Sequence, residues 1–194
     1  KLDFNILFKD LELNFLSPLG KKALNNIKGL VNGKARLWGD FNNLKHEGTL
    51  LLNNGGFSVP VLNLDYVLEE SKIDLSDDSF LFKSILISDV NENTSALVNG
   101  SFTHSNFKNW NANMIIDSER MLLLNTRQKP ESLFFGKGFF DGKVRLEGFT
   151  KNLNITLVGS TEMGTSIKIP WTENYGLSDI SFVKFVNKKS KSNF

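Results

Sequence analysis

Two histidines, His46 and His104, are the side chains best suited to acid–base chemistry in this chain of 194 residues. A general base needs a reacting partner and an orienting carboxylate within hydrogen-bond reach, and neither histidine has such residues at a recognisable spacing. We therefore expect a structural or surface role for both. The chain has no cysteine, so thiolate catalysis, disulfides and cysteine-based zinc sites are excluded.

Two further patterns approach binding motifs without completing them. The acidic run at residues 74–78 suggests calcium but lacks the glycine and the distant glutamate of an EF-hand loop, which favours an ordinary acidic turn. Gly136, Gly138 and Gly142 give G-x-G-x-x-x-G in a strand context, not the dinucleotide-binding G-x-G-x-x-G. They leave room on an apolar face, either for a bent strand or for a ligand.

Charge and hydropathy argue against other classes of protein. The net charge is only +2, and the one dense basic run, at residues 188–191, favours a solvated tail over a nucleic-acid site. No run approaches the ~18 apolar residues of a membrane helix. The chain opens on Lys1 instead of methionine, so we expect it to be part of a longer protein.

The elements that must position any site are strands, because apolar residues recur at every second position. This alternation covers residues 2–8, 11–15, 62–68, 96–102, 153–157 and 167–169. Asn, Asp, Ser, Thr and Gly residues predict turns at 53–56, 76–78, 91–93, 99–100 and 125–126. We predict an all-β fold of about a dozen strands, in a single segment over residues 1–194.

One stretch has a different period, and we predict a short helix near residues 18–28. Pro18 suits a helix start and Gly29 a helix end. The apolar residues at helical spacing are Leu19, Ala23, Leu24 and Ile27.

A twelve-residue pattern, G-K-x-R-L-x-G-x-x-x-N-L, occurs at residues 33–44 and again at 142–153. In the first copy Lys34 and Arg36 point to one face of a strand, while Ala35 and Leu37 point to the other. Glycines at both ends ease a bend or a bulge. We interpret the repeat as a structural module that lengthens one architecture.

Several stretches, in order along the chain, resemble the C-terminal region of the TamB family, the inner-membrane-anchored translocation and assembly module proteins of the AsmA-like superfamily. They are residues 100–104 followed by 107–110, residues 121–126 followed by 133–138, residues 142–148 and residues 163–170. The likeness is strongest from residue 29 to residue 186. Richness in Lys and Asn makes the chain most like versions from Bacteroidota.

The resemblance implies an elongated antiparallel sheet folded lengthwise into an open apolar groove, a β-taco. It implies a non-enzymatic periplasmic protein, without cofactor, anchored to the inner membrane through a segment absent from this chain. The implied partners are phospholipid, the rest of the same chain and an outer-membrane protein of the Omp85 type, with no nucleic acid.

Strand parity then predicts which side chains line the groove. They are Leu62, Leu64, Tyr66, Val98, Phe102, Met114, Ile116, Phe134, Phe140, Val144, Leu146, Leu153, Ile155, Leu157, Ile167 and Ile169. Such a surface suits a conduit for lipid acyl chains, or a scaffold that receives strands of outer-membrane β-barrel proteins. The alternation alone does not separate an open groove from a closed sandwich. A carbohydrate-binding sandwich is disfavoured, because the three tryptophans are scattered along the chain.

Overall fold

A computed structural model describes residues 1–17, 23–129 and 132–170. Within them the fold is all-β, as predicted, with eleven strands in one antiparallel sheet. The strands are β1 (Leu2–Glu12), β2 (Asn25–Asp40), β3 (Asn43–Val59), β4 (Leu64–Leu68), β5 (Ser71–Asp77), β6 (Ser79–Asp89), β7 (Ser95–Ser105), β8 (Lys108–Thr126), β9 (Phe135–Phe149), β10 (Asn154–Thr161) and β11 (Ser166–Lys168). A 3-10 turn at Leu13–Leu16 follows β1, where the sequence predicted a continuing strand.

The strand order is β1-β2-β3-β4-β6-β7-β8-β9-β10, with two further strands beside this path. The long strand β3 pairs with β5 along residues 46–52 and with β4 along residues 55–59. Both short strands pair with β6 on their other side. In the same way β9 pairs with β11 at residues 135–137 and with β10 at residues 140–147.

The sheet is curled so strongly that strands far apart in its order touch. The Tyr66 hydroxyl on β4 donates a hydrogen bond of 2.9 Å to the Leu122 carbonyl oxygen on β8. These strands are three steps apart, which is about 14 Å in a flat sheet. Beside this contact, the Asn125 amide donates to the Leu62 carbonyl oxygen at 3.0 Å. The sheet is therefore folded lengthwise, as the β-taco prediction requires.

The two copies of the repeated pattern occupy equivalent places, each in a strand that turns into the next one. Gly33 on β2 has a φ of +146°, and a Cβ there would lie 2.3 Å from the Thr49 carbonyl oxygen. Gly142 on β9 has a φ of +141°, and its Cβ would lie 2.3 Å from the Val158 carbonyl oxygen. Only glycine fits a backbone that is both left-handed and this close to its neighbour.

Three of the predicted turns are wrong. Residues 125–126 are the last two residues of β8 and pair with β9. Residues 53–56 lie inside β3, where Asn54 takes a φ of +52° and the strand passes from β5 to β4 as its partner. Residues 99–100 lie inside β7, where Gly100 has a φ of +141°. The sequence contains residues that tolerate positive φ at the latter two places, but the fold uses them to bend a strand instead of reversing it.

The predicted helix is wrong at its C-terminal end, because residues 25–28 belong to β2. Asn25 stands opposite Ser58 and Lys28 opposite Gly56 of β3. The Ser17 hydroxyl also bonds both the amide and the carbonyl oxygen of Ile27, at 3.0 and 3.2 Å. Pairing with a neighbouring strand here outweighs a local helical spacing. Residues 18–22 of the predicted helix lie outside the described residues.

Candidate functional site

The inner face of the curled sheet carries continuous apolar rows that run across the strands. Residues paired in antiparallel strands share a face, so each row is read from the pairing register. The longest row crosses nine strands through Phe8, Gly33, Leu50, Ile73, Phe82, Gly100, Met114, Leu146 and Ile155. A second row contains Ile6, Ala35, Gly48, Leu75, Phe80, Phe102, Ala112 and Gly148, and a third contains Ile85, Val98, Ile116, Val144 and Leu157. None of these positions carries a charge.

The middle of this face is packed, and its two ends are open. The buried cluster consists of Leu64, Tyr66, Ile85, Ile87, Ala96, Val98, Met114, Met121, Leu122 and Phe139. At the first end, Phe4 on β1 is 51% exposed. At the other end, Ile155 and Leu157 on β10 are 59% and 53% exposed. The inner face therefore has a filled centre between two open apolar flanks, one on β1 and one on β10.

Nine of the sixteen predicted groove residues meet in the packed centre. Leu64, Tyr66, Val98 and Met114 belong to the buried cluster. Leu62, Phe102, Ile116 and Leu146 pack against it. Val144 is buried in the row of Val98.

The remaining seven lie towards the β9–β10–β11 end of the sheet. Phe140 on β9 and Leu153 before β10 are half-buried. The exposed members are Phe134, Ile155, Leu157, Ile167 and Ile169. The predicted set is thus divided between a core and an open flank.

Sequence reasoning missed the β6 part of the core because strand parity changes there. Phe80 and Phe82 face inwards, and then a register shift between Phe82 and Ile85 brings Ile85 and Ile87 to the same face. Ser84 takes a φ of +50° within this bulge. An extra residue in one strand moves every later side chain to the other face, so simple alternation fails.

Met121, Leu122 and Phe139 were missed for a different reason. Met121 and Leu122 are adjacent and both buried, at 2% and 0% exposed. Because consecutive side chains of a strand point to opposite faces, burial of both residues means that both faces of β8 are dry here. The continuous apolar run at residues 121–124 is the signal for such a strand. The inward-facing residues of β1, among them Phe4 and Ile6, show simple alternation and were left out of the predicted set.

The outer face carries the charges. Arg36 donates to both carboxylate oxygens of Asp3, at 2.9 and 2.8 Å, and lies 3.5 Å from Glu47. The Arg36 guanidinium beside Asp3 lowers the pKa of that carboxyl group. In the second copy of the repeat, Lys143 pairs with Asp117 at 2.6 Å. One basic residue of each copy, Arg36 and Lys143, therefore forms a cross-strand ion pair on the solvated face.

The two histidines, far apart in sequence, form a buried pair where β3 meets β7. The distance between His46 Nε2 and His104 Nε2 is 2.8 Å. The amide of Phe107 donates to His104 Nδ1 at 3.0 Å. Their side chains are enclosed by Phe80, Phe107 and Trp110. Burial is the main cause that lowers the pKa of both imidazoles.

A cleft of about 670 Å³ opens beside this pair at the ends of β7, β8 and β9. It is lined by Thr103, His104, Ser105, Asn109, Trp110, Asn111, Phe149, Thr150 and Lys151. The cleft therefore reaches one side of His104 from solvent.

The fold and the distribution of side chains over its two faces define a class of protein. Its members are lengthwise-folded antiparallel sheets with an apolar interior and a charged exterior. The sequence model of the TamB C-terminal domain matches residues 83–193, which is more than half of the chain. The chain therefore belongs to the TamB family. No curated protein and no solved structure matched it.

Members of this family are non-enzymatic modules of the periplasm and cell envelope. Membership supports a role in lipid transport or in outer-membrane protein assembly. Among the residues that the structure describes, there is no helix of the length and hydrophobicity needed to cross a membrane.

Proposed function

We propose that this chain is a segment of a phospholipid conduit, in which acyl chains lie against the apolar inner face and headgroups remain at the rim. The observation that carries the proposal is the row of apolar residues and glycines that crosses nine strands from Phe8 to Ile155. Each methylene removed from water contributes about 0.8 kcal/mol, so partial shelter is enough to hold an acyl chain.

The uniformity of the rows supports movement as well as binding. A travelling acyl chain meets apolar side chains and glycines in succession, and no position of these rows carries a charge that would trap it. The repeated strand modules at residues 33–44 and 142–153 present similar surfaces at the two ends of the sheet. Along each open flank, sliding is therefore opposed only by small differences between neighbouring positions.

The open flanks are the surfaces on which we propose that lipid first rests. Leu157 and Ile155 on β10 and Phe4 on β1 are all more than half exposed. For an acyl chain to pass from one flank to the other, the packed centre between β4 and β8 has to part. We further propose that residues 1–194 form one segment of a longer periplasm-spanning protein whose inner-membrane anchor lies elsewhere in that protein.

A second candidate function is a scaffold for outer-membrane β-barrel assembly, together with an Omp85-type partner. The observation that favours it is the pair of edges at β1 and β10, which end the strand order within the described residues. An edge strand offers unpaired backbone groups to an incoming strand. On this view backbone pairing at β1 or β10, and not the apolar rows, supplies the working surface.

Native mass spectrometry of the purified chain, with extraction of any bound lipid, separates the two functions. A conduit retains phospholipid after purification and takes up a fluorescent phospholipid from vesicles. A scaffold binds amphipathic β-strand peptides and crosslinks to them along β1 or β10. Delipidated protein that never takes up the fluorescent phospholipid contradicts the conduit.

A further inference from the structure

The contact between His46 and His104 joins two parts of the sheet that are distant in strand order. His46 lies on β3 and His104 on β7, with β5 and β6 between them. Three strand steps span about 14 Å in a flat sheet, yet the two Nε2 atoms are 2.8 Å apart. Both side chains are buried, at 3% and 4% exposed. The pair therefore holds the curled sheet closed at this end.

The hydrogen bonds fix where the protons lie. The Phe107 amide donates to His104 Nδ1, so that nitrogen carries no proton and neutral His104 is protonated at Nε2. This Nε2–H then donates to His46 Nε2, which places the proton of neutral His46 on Nδ1. His46 Nδ1 is buried, and no described residue accepts from it. One proton lies between the two Nε2 atoms, and at 2.8 Å there is no room for a second.

Adding a proton to either ring breaks a specific contact. A protonated His46 carries an N–H at Nε2, which points at the N–H of His104. A protonated His104 carries an N–H at Nδ1, which points at the amide of Phe107. We propose that His46 and His104 form a pH-sensitive seam, which joins β3 to β7 while both rings are neutral and opens when His46 is protonated.

The surroundings of the seam decide the pH at which this happens. Asp77 of β5 lies opposite His46, and Asp78 follows it in the β5–β6 turn. Both carboxylates favour protonated His46, and Asp78 also favours protonated His104. Asp77 is itself paired with Lys45 at 3.2 Å. The other elements packed against the pair contribute uncharged groups: Leu37 of β2, Phe80 of β6, Phe107 of the β7–β8 turn and Trp110 of β8. Lys151 is the cation that lines the adjoining cleft.

Burial outweighs the two carboxylates, so the pKa of both imidazoles lies below the ordinary value of 6.5. The open state therefore binds more protons than the closed state at pH values between the lowered pKa and 6.5. Above pH 6.5 the contact between the two rings contributes its full stabilisation to the closed state. This stabilisation decreases as the pH falls below 6.5. The cleft beside His104 gives solvent protons a route to the pair.

A second, uncharged contact joins the same two parts of the sheet. The side chain of Asn106, in the β7–β8 turn, accepts from the Leu44 amide at 3.3 Å and donates to the Phe41 carbonyl oxygen at 2.6 Å. This contact does not titrate, so it resists opening at every pH. Its removal by Asn106→Ala is expected to shift the opening to higher pH, because less interaction energy then holds the seam closed.

Spin labels can measure the opening directly, because the chain has no cysteine of its own. We would label Asn42→Cys, before β3, and Lys108→Cys, at the start of β8, and compare the label distance at about pH 7.5 and about pH 5, a range that covers histidine titration. The wild-type distance is expected to lengthen and broaden at the lower pH. His46→Gln keeps an oxygen near the position of Nε2 to accept from His104 and cannot titrate, so its response should be clearly smaller.

Nitrogen NMR of the two imidazoles provides a test that needs no substitution at the pair. We expect His104 protonated at Nε2, His46 protonated at Nδ1, and both rings titrating below pH 6.5. The proposal is overturned by label distances that do not change with pH, by a His46→Gln response equal to that of wild type, or by rings that titrate at or above 6.5.

Discussion

Met114 and Ile155 lie in the same apolar row two strands apart, yet Met114 is 9% exposed and Ile155 is 59% exposed. Leu146 on β9 stands between them and is opposite both. Within the length of one row, the inner face thus changes from a packed core to an open flank. This difference allows the flank to be altered without disturbing the core.

A charge at position 155 is expected to remove lipid and preserve the fold. Ile155→Glu places a carboxylate where we propose that acyl chains rest, and desolvating it costs several kcal/mol. The side chain is already exposed, so the free energy of unfolding should change by only about 0.5 kcal/mol. Lipid retained in native mass spectra and the urea unfolding midpoint measure the two effects.

The matched control is Thr156→Glu, on the outer face of the same strand and opposite Arg145. It adds the same charge to β10 and should leave lipid retention unchanged. Equal loss of lipid in both variants would mean that charge on this strand, and not its inner face, is what matters.

The contact between Tyr66 and Leu122 tests whether the lengthwise fold stabilises the chain. Burial raises the pKa of the Tyr66 hydroxyl, so the group is a neutral donor at all ordinary pH values. Tyr66→Phe removes the donor and leaves the buried carbonyl oxygen of Leu122 without it, which is expected to cost about 1–3 kcal/mol in urea unfolding. A variant as stable as the wild type would show that β4 and β8 are held together by apolar packing alone.

The glycine of the repeated pattern is expected to be intolerant of any side chain. Gly142→Ala introduces a Cβ 2.3 Å from the Val158 carbonyl oxygen in a left-handed backbone, at an expected cost of about 1–3 kcal/mol. Gly138→Ala on the same strand is the control, since its Cβ would lie 3.3 Å from the Leu124 Cβ and its φ is not positive. Thermal unfolding should show a clearly larger loss of stability for Gly142→Ala than for Gly138→Ala. Equal losses of stability would refute the requirement for glycine at position 142.

The β6–β7 turn depends on one buried carboxylate. Asp89 is 1% exposed and accepts from the amides of Asn91, Glu92 and Thr94 at 3.0, 2.7 and 2.8 Å. Asp89→Ala leaves these three donors unpaired, which is expected to cost about 1.5–3 kcal/mol in chemical denaturation. Asp89→Asn retains one accepting oxygen and should lose less stability than Asp89→Ala. A larger loss for Asp89→Asn would contradict the role assigned to the carboxylate.

The all-β class, the strand alternation and the family were accessible from the sequence because each depends on local residue order. Alternating apolar residues such as Val98, Gly100 and Phe102 predict one buried face whatever lies against it. The inward parity of Met114, Leu146 and Ile155 follows from the same period. The family resemblance rests on short motifs in a fixed order, and the match over residues 83–193 confirms it.

Other features depend on which distant segments meet, and only the tertiary structure decided them. The bulge at Ser84 inverted the parity of β6, and the pairing of residues 25–28 with β3 replaced a predicted helix, because long-range backbone pairing outweighs weak local preferences. Nothing in the sequence indicates that His46 and His104 are in contact. They meet because the sheet curls, and the curl is set by the sum of many contacts across strands, which local residue order does not encode.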